Sequence, residues 1–347
     1  MQELLIHPND TCQRLSMIEE KQSVEEAAKA LSSGLLVAFP TETVYGLGAD
    51  ASNPEALKRL YAAKGRPEKH PVIVHLQKGE DIEKWASSVP EAAYVLAKLF
   101  WPGPLTLVLK KARHVPEQVT GGQDTIAIRV PSHPLAQALL SAFGSGIAAP
   151  SANKFGRLSP TSAEDVRTEF GDEIAMVLDG GLSEIGIEST IVDLSSEQPR
   201  ILRPGMIHSE SIMVALKELG QDISAPAQEQ PRVPGSLPQH YAPQTPLKVL
   251  PEKELFEEIK ALEGEGKDVA VLSFKSAPMF HKQWIAAERF PEHYAHTLYR
   301  NLRKLDSLGA DLILVEEAPE GSAWEGIRDR LSRAAGTASS TEECDGS

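Results

Sequence analysis

Two cations stand one residue apart at Lys64-Gly65-Arg66, with Pro67 behind them. Lysine offers a point charge and arginine a planar fork, so the pair could hold a polyphosphate or a carboxylate. Cations at a helix exit are also what the helix dipole favours without any ligand. A second candidate is Ala149-Pro150-Ser151-Ala152-Asn153, where a hydroxyl and an amide follow a short apolar run. At the carboxyl end of a strand they would stand where α/β sheets bind ligands, although serine and asparagine are equally at home in turns. A third runs from Pro40 to Gly48, with the hydroxyls of Thr41, Thr43 and Tyr45 and the carboxylate of Glu42. That composition would line a small polar pocket or form a solvated loop.

Single residues join these segments. Arg129 lies near the end of an alternating run and Arg203 precedes Pro204-Gly205; either could be a surface ion-pair residue. His75 falls inside the apolar run Val72–Leu76, a place where a histidine can equally be a satisfied core residue. His240-Tyr241 is an aromatic pair in a proline-rich stretch, which suggests that the stretch packs against something. The chain has no P-loop, no His-Glu-x-x-His and no Gly-x-Ser-x-Gly, so neither zinc chemistry nor covalent serine hydrolysis has positive support. Gly46-x-Gly48-x-x-Ala51 matches the dinucleotide fingerprint, but a polar loop rather than a strand precedes its first glycine, and it is set aside.

The elements that must position these residues follow from periodicity. Ser23 and Glu26 have capping-box spacing ahead of the face Val24, Ala27, Ala28 and Leu31. Asn53-Pro54 opens a helix with the face Ala56, Leu57, Leu60 and Tyr61, which Gly65 ends. Strands are expected at Leu35–Phe39, Pro71–Leu76, Leu105–Lys110, Thr125–Val130, Ile147–Pro150, Ala175–Leu178, Ser189–Leu194 and Ile201–Arg203, and helices at Ala92–Phe100 and Ser211–Leu219. This reads as an α/β domain with a twisted mixed sheet over residues 1–220. Residues 221–246 carry Pro226, Pro231, Pro234, Pro238, Pro243 and Pro246 and read as a semi-extended linker. Residues 247–335 then alternate strand and helix as a small, Rossmann-like, doubly wound domain. The Ser/Thr/Glu-rich tail 336–347 reads as disordered.

Composition narrows the function classes. The 347 residues are 41% hydrophobic and 24% charged, with a net charge of −14. Such a chain is poorly suited to gripping nucleic acid over a wide surface. Only Cys12 and Cys344 occur, which gives no disulfide framework and fits a reducing, cytoplasmic location. Met1–Asp10 lacks the pattern of a signal peptide, and no run approaches the length of a membrane span.

Taken in order, seven segments resemble one family, the two-domain threonylcarbamoyl-AMP synthases. They are Pro40 to Gly48, Lys64 to Pro67, Thr125 to Pro131, Pro150 to Asn153, Gly186 to Thr190, Arg203 to Gly205, and Pro234-Gly235 through His240-Tyr241 to Pro243. The resemblance implies a YrdC-like catalytic domain, an accessory C-terminal domain and a linker that folds over the site as a lid. It implies a nucleotidyltransferase that makes L-threonylcarbamoyladenylate and pyrophosphate from L-threonine, bicarbonate and ATP. The product would pass to a downstream machinery that installs threonylcarbamoyladenosine in tRNA.

By the same resemblance, Lys64, Arg66, Ser151 and Asn153 form the catalytic core. ATP would meet Lys64, Arg66, Thr125, Ser151, Ser159, Arg203 and Tyr241. His70, where the family often has asparagine, could still hydrogen-bond a phosphate. L-threonine would meet Thr41, Thr43, Tyr45, His75, Ala149 and Ser189, with Arg129 pairing its carboxylate bidentately. Mg2+ is expected with ATP as substrate, and its protein ligands are unassigned. Two other readings compete. One is an RNA-binding module with a concave basic surface of Lys58, Arg59, Lys64, Arg66 and Lys69. The other is a related carbamoyl-transferring maturation factor, whose extra domains this chain lacks.

Overall fold

The computed structural model describes residues 21–224, 230–235, 240–278 and 283–336. Met1–Asp10, Cys12, Pro226, Pro238, Cys344 and the tail from 337 onward lie outside them. The first part runs α1 (21–32), β1 (Val37–Phe39), β2 (Gly46–Asp50), α2 (Pro54–Lys64), β3 (Ile73–His75), β4 (Ala86–Ser88), α3 (Glu91–Phe100), β5 (Leu105–Lys111), α4 (Glu117–Thr120), β6 (Thr125–Arg129), α5 (Pro134–Phe143), β7 (Ile147–Ala148), α6 (Ala163–Phe170), β8 (Met176–Val177), β9 (Thr190–Asp193), β10 (Arg200–Arg203) and α7 (Ser209–Lys217). Its strands form one mixed sheet in the order β10-β9-β5-β6-β3-β7-β2-β1-β8, with β4 on β5. The pairs β3/β6, β5/β9 and β1/β8 are parallel.

Local signals explain the key helix. Asn53 Oδ1 accepts from the amides of Glu55 at 3.0 Å and Ala56 at 3.2 Å, and Pro54 fills the first turn. Gly65 at φ 61° ends α2 in the left-handed conformation that a side chain would strain. Lys64 therefore belongs to the last helical turn, while Arg66 leaves in a new direction.

Strand alternation gives the sheet two faces. Ala38, Leu47, Val74, Leu107, Ile126 and Ile128 pack with α2, α3 and α7 in one core. On the other face, Val37, Phe39 and Ile147 meet α1 and α5. The rest of that face is left for His75, Thr106, Arg129 and a patch of Ile73, Val108, Ala127 and Ile191, which Val233 of the linker covers.

The second part comprises β11 (Leu247–Leu250), α8 (Glu252–Gly264), β12 (Val269–Ser273), β13 (Trp284–Ala286), α9 (Pro291–Asp306), β14 (Leu312–Glu316) and α10 (Glu325–Ala334). Its sheet is parallel throughout, in the order β11-β14-β12-β13. Val269, Val271 and Leu314 face α8, while Ala270, Leu272, Ile313 and Val315 face α9 and α10. The latter core also takes in Val44, Leu158 and Ile187 of the first part and Tyr241 of the linker, so the two parts share apolar packing.

Some local expectations change. Helix α1 already runs at residue 21, so Ser23 is not its cap. Gly46–Asp50 is a strand rather than the continuation of a polar loop. Its glycines are needed for packing: a Cβ at Gly48 would stand 2.9 Å from Ile147 Cγ2 and 3.0 Å from Phe39 Cε1. Helices α5, α6 and α10 and strand β13 are additions. Helix α6 carries a reciprocal cap between Ser162 and Asp165. Helix α10 has its apolar stripe of Ile327, Leu331 and Ala334 interrupted by the buried Arg330.

Candidate active site

Register sets one end of the site. On parallel β3 and β6, His75 lies beside Arg129, and on β5 Thr106 lies opposite Arg129. Thr106 Oγ1 and Ser189 Oγ share a hydrogen bond of 2.8 Å. The segments 40–46 and 150–153 close over this end: Leu47 N donates to Pro150 O at 2.9 Å and Ala152 N to Tyr45 O at 2.8 Å. Pro234, Gly235, His240 and Tyr241 complete the lining from the linker side. They leave a cavity of about 40 Å³, room for a few waters only.

Arg66 and Arg203 stand in the walls, and Lys64 stands behind them. Arg66 is buried, with Nη2 donating to Pro71 O at 2.9 Å and Nε to His70 O at 3.3 Å. Arg203 donates from Nε and Nη2 to Ser189 O at 3.1 and 2.9 Å, and from Nη1 to Pro234 O at 2.9 Å. Lys64 Nζ donates to the carbonyls of Ser151 and Asn153. Among the described residues, none of these three has a carboxylate in an ion pair. Burial holds all three below their ordinary pKa values, Lys64 far below, with Arg66 adding repulsion at Lys64. Charge buried against neutral acceptors is costly and is relieved by an anion.

The two carboxylates nearby are already engaged. Glu42 pairs with Arg129 at 2.7 Å, both side chains being 4% exposed, and its other oxygen accepts from Ser132 N at 3.1 Å. Glu188 lines the cavity and pairs with Arg330 of α10 at 2.7 Å. Burial alone would raise the Glu188 pKa, but Arg330 and then Arg203 outweigh it and hold it below the usual value. Burial, seconded by Arg129, brings His75 down to about 3, and burial does the same to His240, so both rings are neutral at physiological pH.

The fold gathers Thr41, Thr43, Arg66, His75, Arg129, Ala149, Ser151, Ser189, Arg203 and Tyr241 around the cavity. Other expected site residues stand behind the lining. Lys64 pins the 151–153 segment from below. Asn153 turns its amide nitrogen to Lys154 O and Arg157 O at 2.7 and 2.9 Å, and its Oδ1 accepts from Ser151 Oγ. His70 packs edge-on against Phe155. Thr125 begins the strand whose other end bears Arg129. Ser159 Oγ donates to Glu188. Tyr45 points away, donating to Gly181 O at 2.7 Å and accepting from Gly180 N at 3.1 Å. The free fork expected of Arg129 is absent, since Nη2 meets Glu42, Nη1 Thr43 and Nε Gly103 O.

The basic surface of the RNA-binding reading does not form. Lys64 and Arg66 point inward and are buried, Lys58 pairs with Glu55, and Arg59 donates to Gly34 O. Sequence reasoning assigned no role to Glu188, Tyr299 or Arg330. The signals were the place of Glu188 in the Gly186–Thr190 segment and an arginine on the apolar stripe of α10.

A family model described as telomere recombination matches residues 29–205, and one for the threonylcarbamoyl-AMP synthase C-terminal domain matches residues 204–336. The threonylcarbamoyl-AMP synthase of Pyrococcus abyssi is 39% identical over 91% of this chain and 95% of its own length. The chain belongs to the threonylcarbamoyl-AMP synthase family. The family's Bacillus subtilis synthase is 40% identical over 90% of this chain and 93% of its own. A crystal structure of P. abyssi Sua5 complexed with L-threonine superposes with a TM-score of 0.84 at 40% identity, covering 91% of this chain and 95% of that one. Like this synthase-family chain, it is matched across both parts. No helix among the described residues is long and apolar enough to cross a membrane.

Proposed function

We infer that this chain is a nucleotidyltransferase that joins L-threonine, bicarbonate and ATP into L-threonylcarbamoyladenylate, releasing pyrophosphate and water. The observation that carries the reading is a set of buried cations held by neutral oxygens only, with Arg66 and Arg203 in the cavity wall and Lys64 behind the 151–153 segment. A triphosphate supplies the missing negative charge. The other end of the cavity offers the Thr43 hydroxyl on Arg129, the Ser189 hydroxyl and the neutral His75 ring, which suit a small hydroxy amino acid.

The chemistry follows from those walls. The threonine amine, once neutral, attacks the carbon of bicarbonate, water leaves, and a carbamate results. A carbamate oxygen then attacks the α-phosphorus of ATP and pyrophosphate departs. Negative charge accumulates on the phosphoryl oxygens, and fixed cations in a water-poor site stabilise it without reorganising. Enclosure by the linker also keeps water from the carbamate and the mixed anhydride. Pro234, Gly235, His240 and Tyr241 line the cavity, so a bound nucleotide would be bounded on that side by the linker.

Mg2+ enters this reading with ATP, on its phosphates. Glu42 and Glu188 are committed to Arg129 and Arg330, and no cluster of three or more His, Cys, Asp or Glu side chains gathers among the described residues. The product would serve a separate cytoplasmic machinery that modifies tRNA with threonylcarbamoyladenosine. The test is pyrophosphate release from ATP with threonine and bicarbonate together and with each omitted. Equal release with either omitted overturns the assignment.

A further inference from the structure

We propose that the C-terminal domain is part of the catalytic apparatus, with Arg330 as a positioning residue that sequesters Glu188 and so keeps Arg203 available for the nucleotide. The proposal rests on the nucleotide-binding reading above and assigns the second domain a role within it.

One guanidinium grips the chain on both sides of the Ser189–Arg203 pair. Arg330 Nε meets Glu188 Oε2 at 2.7 Å, Nη2 donates to Glu188 O at 3.0 Å, and Nη1 donates to Pro204 O at 2.8 Å. Glu188 directly precedes Ser189, and Pro204 directly follows Arg203. Ser189 in turn orients Arg203 through its carbonyl and its hydroxyl, the latter at 3.1 Å from Nη2. Tyr299 of α9 donates to Glu188 Oε2 at 3.0 Å. The Arg330 guanidinium also lies 5.4 Å from the centre of the Tyr241 ring, whose hydroxyl is 3.4 Å from Arg203 Nη1. Glu188, Ser189, Arg203, Tyr241, Tyr299 and Arg330 are all buried.

A buried ion pair is a poor way merely to join two domains, because apolar side chains of similar volume do so at lower desolvation cost. The interface already has such packing in Ile187, Leu298 and Tyr241. Charge placement gives the pair its purpose. Glu188 lines the cavity beside Arg203, and without a second cation its carboxylate would fall to Arg203 and neutralise it. Arg330 takes that carboxylate from behind. Gly326 and Gly205 allow the approach: a Cβ on Gly326 would sit 2.9 Å from Gly205 Cα.

The test measures ATP affinity directly, by calorimetry without threonine, on the full-length chain. Arg330→Gln is expected to weaken ATP binding roughly 30-fold, the scale of one charge-assisted contact. Adding Glu188→Gln removes the stray carboxylate and should return affinity to within about fivefold of the wild type. Arg330→Lys, which keeps the charge, should also lie within about fivefold. A double variant that binds ATP no better than Arg330→Gln, or an Arg330→Gln protein that binds normally, overturns the proposal. If Arg330→Gln does not fold, Tyr299→Phe with and without Glu188→Gln is read in the same way, with a loss of about threefold expected and its absence decisive against the proposal. Wild-type ATP binding and its threonine-dependent turnover, run alongside, report separately on the parent reading.

Discussion

Acid should weaken this fold through His75 in particular, and replacing that residue should remove a calculable part of the loss. The ring is 3% exposed, lies edge-on to Phe39 with centroids 5.9 Å apart, and neighbours Arg129 on the adjacent strand. Burial, followed by the Arg129 charge, lowers its pKa from 6.5 to about 3. Between those values the unfolded chain binds a proton that the native chain does not, so stability rises with pH and is lost as pH falls through 6.5. At pH 5 the unfolded histidine is almost fully protonated and the native one is not, which corresponds to about 2 kcal/mol lost relative to pH 7.5. The figure depends chiefly on the unfolded value, because the native one lies far below pH 5. Urea unfolding at both pH values, followed by pulse-labelling hydrogen exchange of the β3 and β6 peptides, measures it for the wild type and His75→Gln. The variant should lose about 2 kcal/mol less between the two pH values. Curves that fall in parallel to within about 0.5 kcal/mol would refute the burial argument.

Three further outcomes follow from individual contacts in the fold. Glu42→Gln leaves the Arg129 charge buried without its carboxylate and should cost about 3–5 kcal/mol, read as a lowered melting temperature. Arg66→Lys keeps the charge but loses the fork that spans His70 O and Pro71 O; kcat/KM for ATP should fall roughly 10–100-fold with little change in melting, and a loss under about twofold would remove Arg66 from the nucleotide grip. Gly186→Ala combines φ 83° with a Cβ 2.4 Å from Ala295 O of α9, so the domain contact should open at a cost of about 2–4 kcal/mol, detected as new protease cleavage near 186.

Many of the elements and most of the candidate set were legible in the sequence, while helices α5, α6 and α10 were not. Asn53-Pro54 and Gly65 marked both ends of α2, and alternation in Thr125–Arg129 marked a strand, because caps and period-2 burial are local consequences of backbone geometry. Proline spacing over 221–246 read as a linker, and His240-Tyr241 within it hinted at packing. The residues of the 40–48, 64–67 and 150–153 segments were legible as polar groups at element ends, but each read equally well as a cap or a turn.

Which way the side chains face was set by long-range packing. It turned Tyr45 out of the site and put Lys64 beneath the 151–153 segment. It filled the Arg129 fork with a carboxylate from 87 residues earlier in the chain. It also brought Arg330 to Glu188 across 142 residues. Ion pairs of that kind leave no periodic trace, because charge neutralisation in a buried site depends on distances in space, which local sequence does not carry. Arg330 reads as a flaw in an amphipathic stripe until the fold supplies the carboxylate it covers.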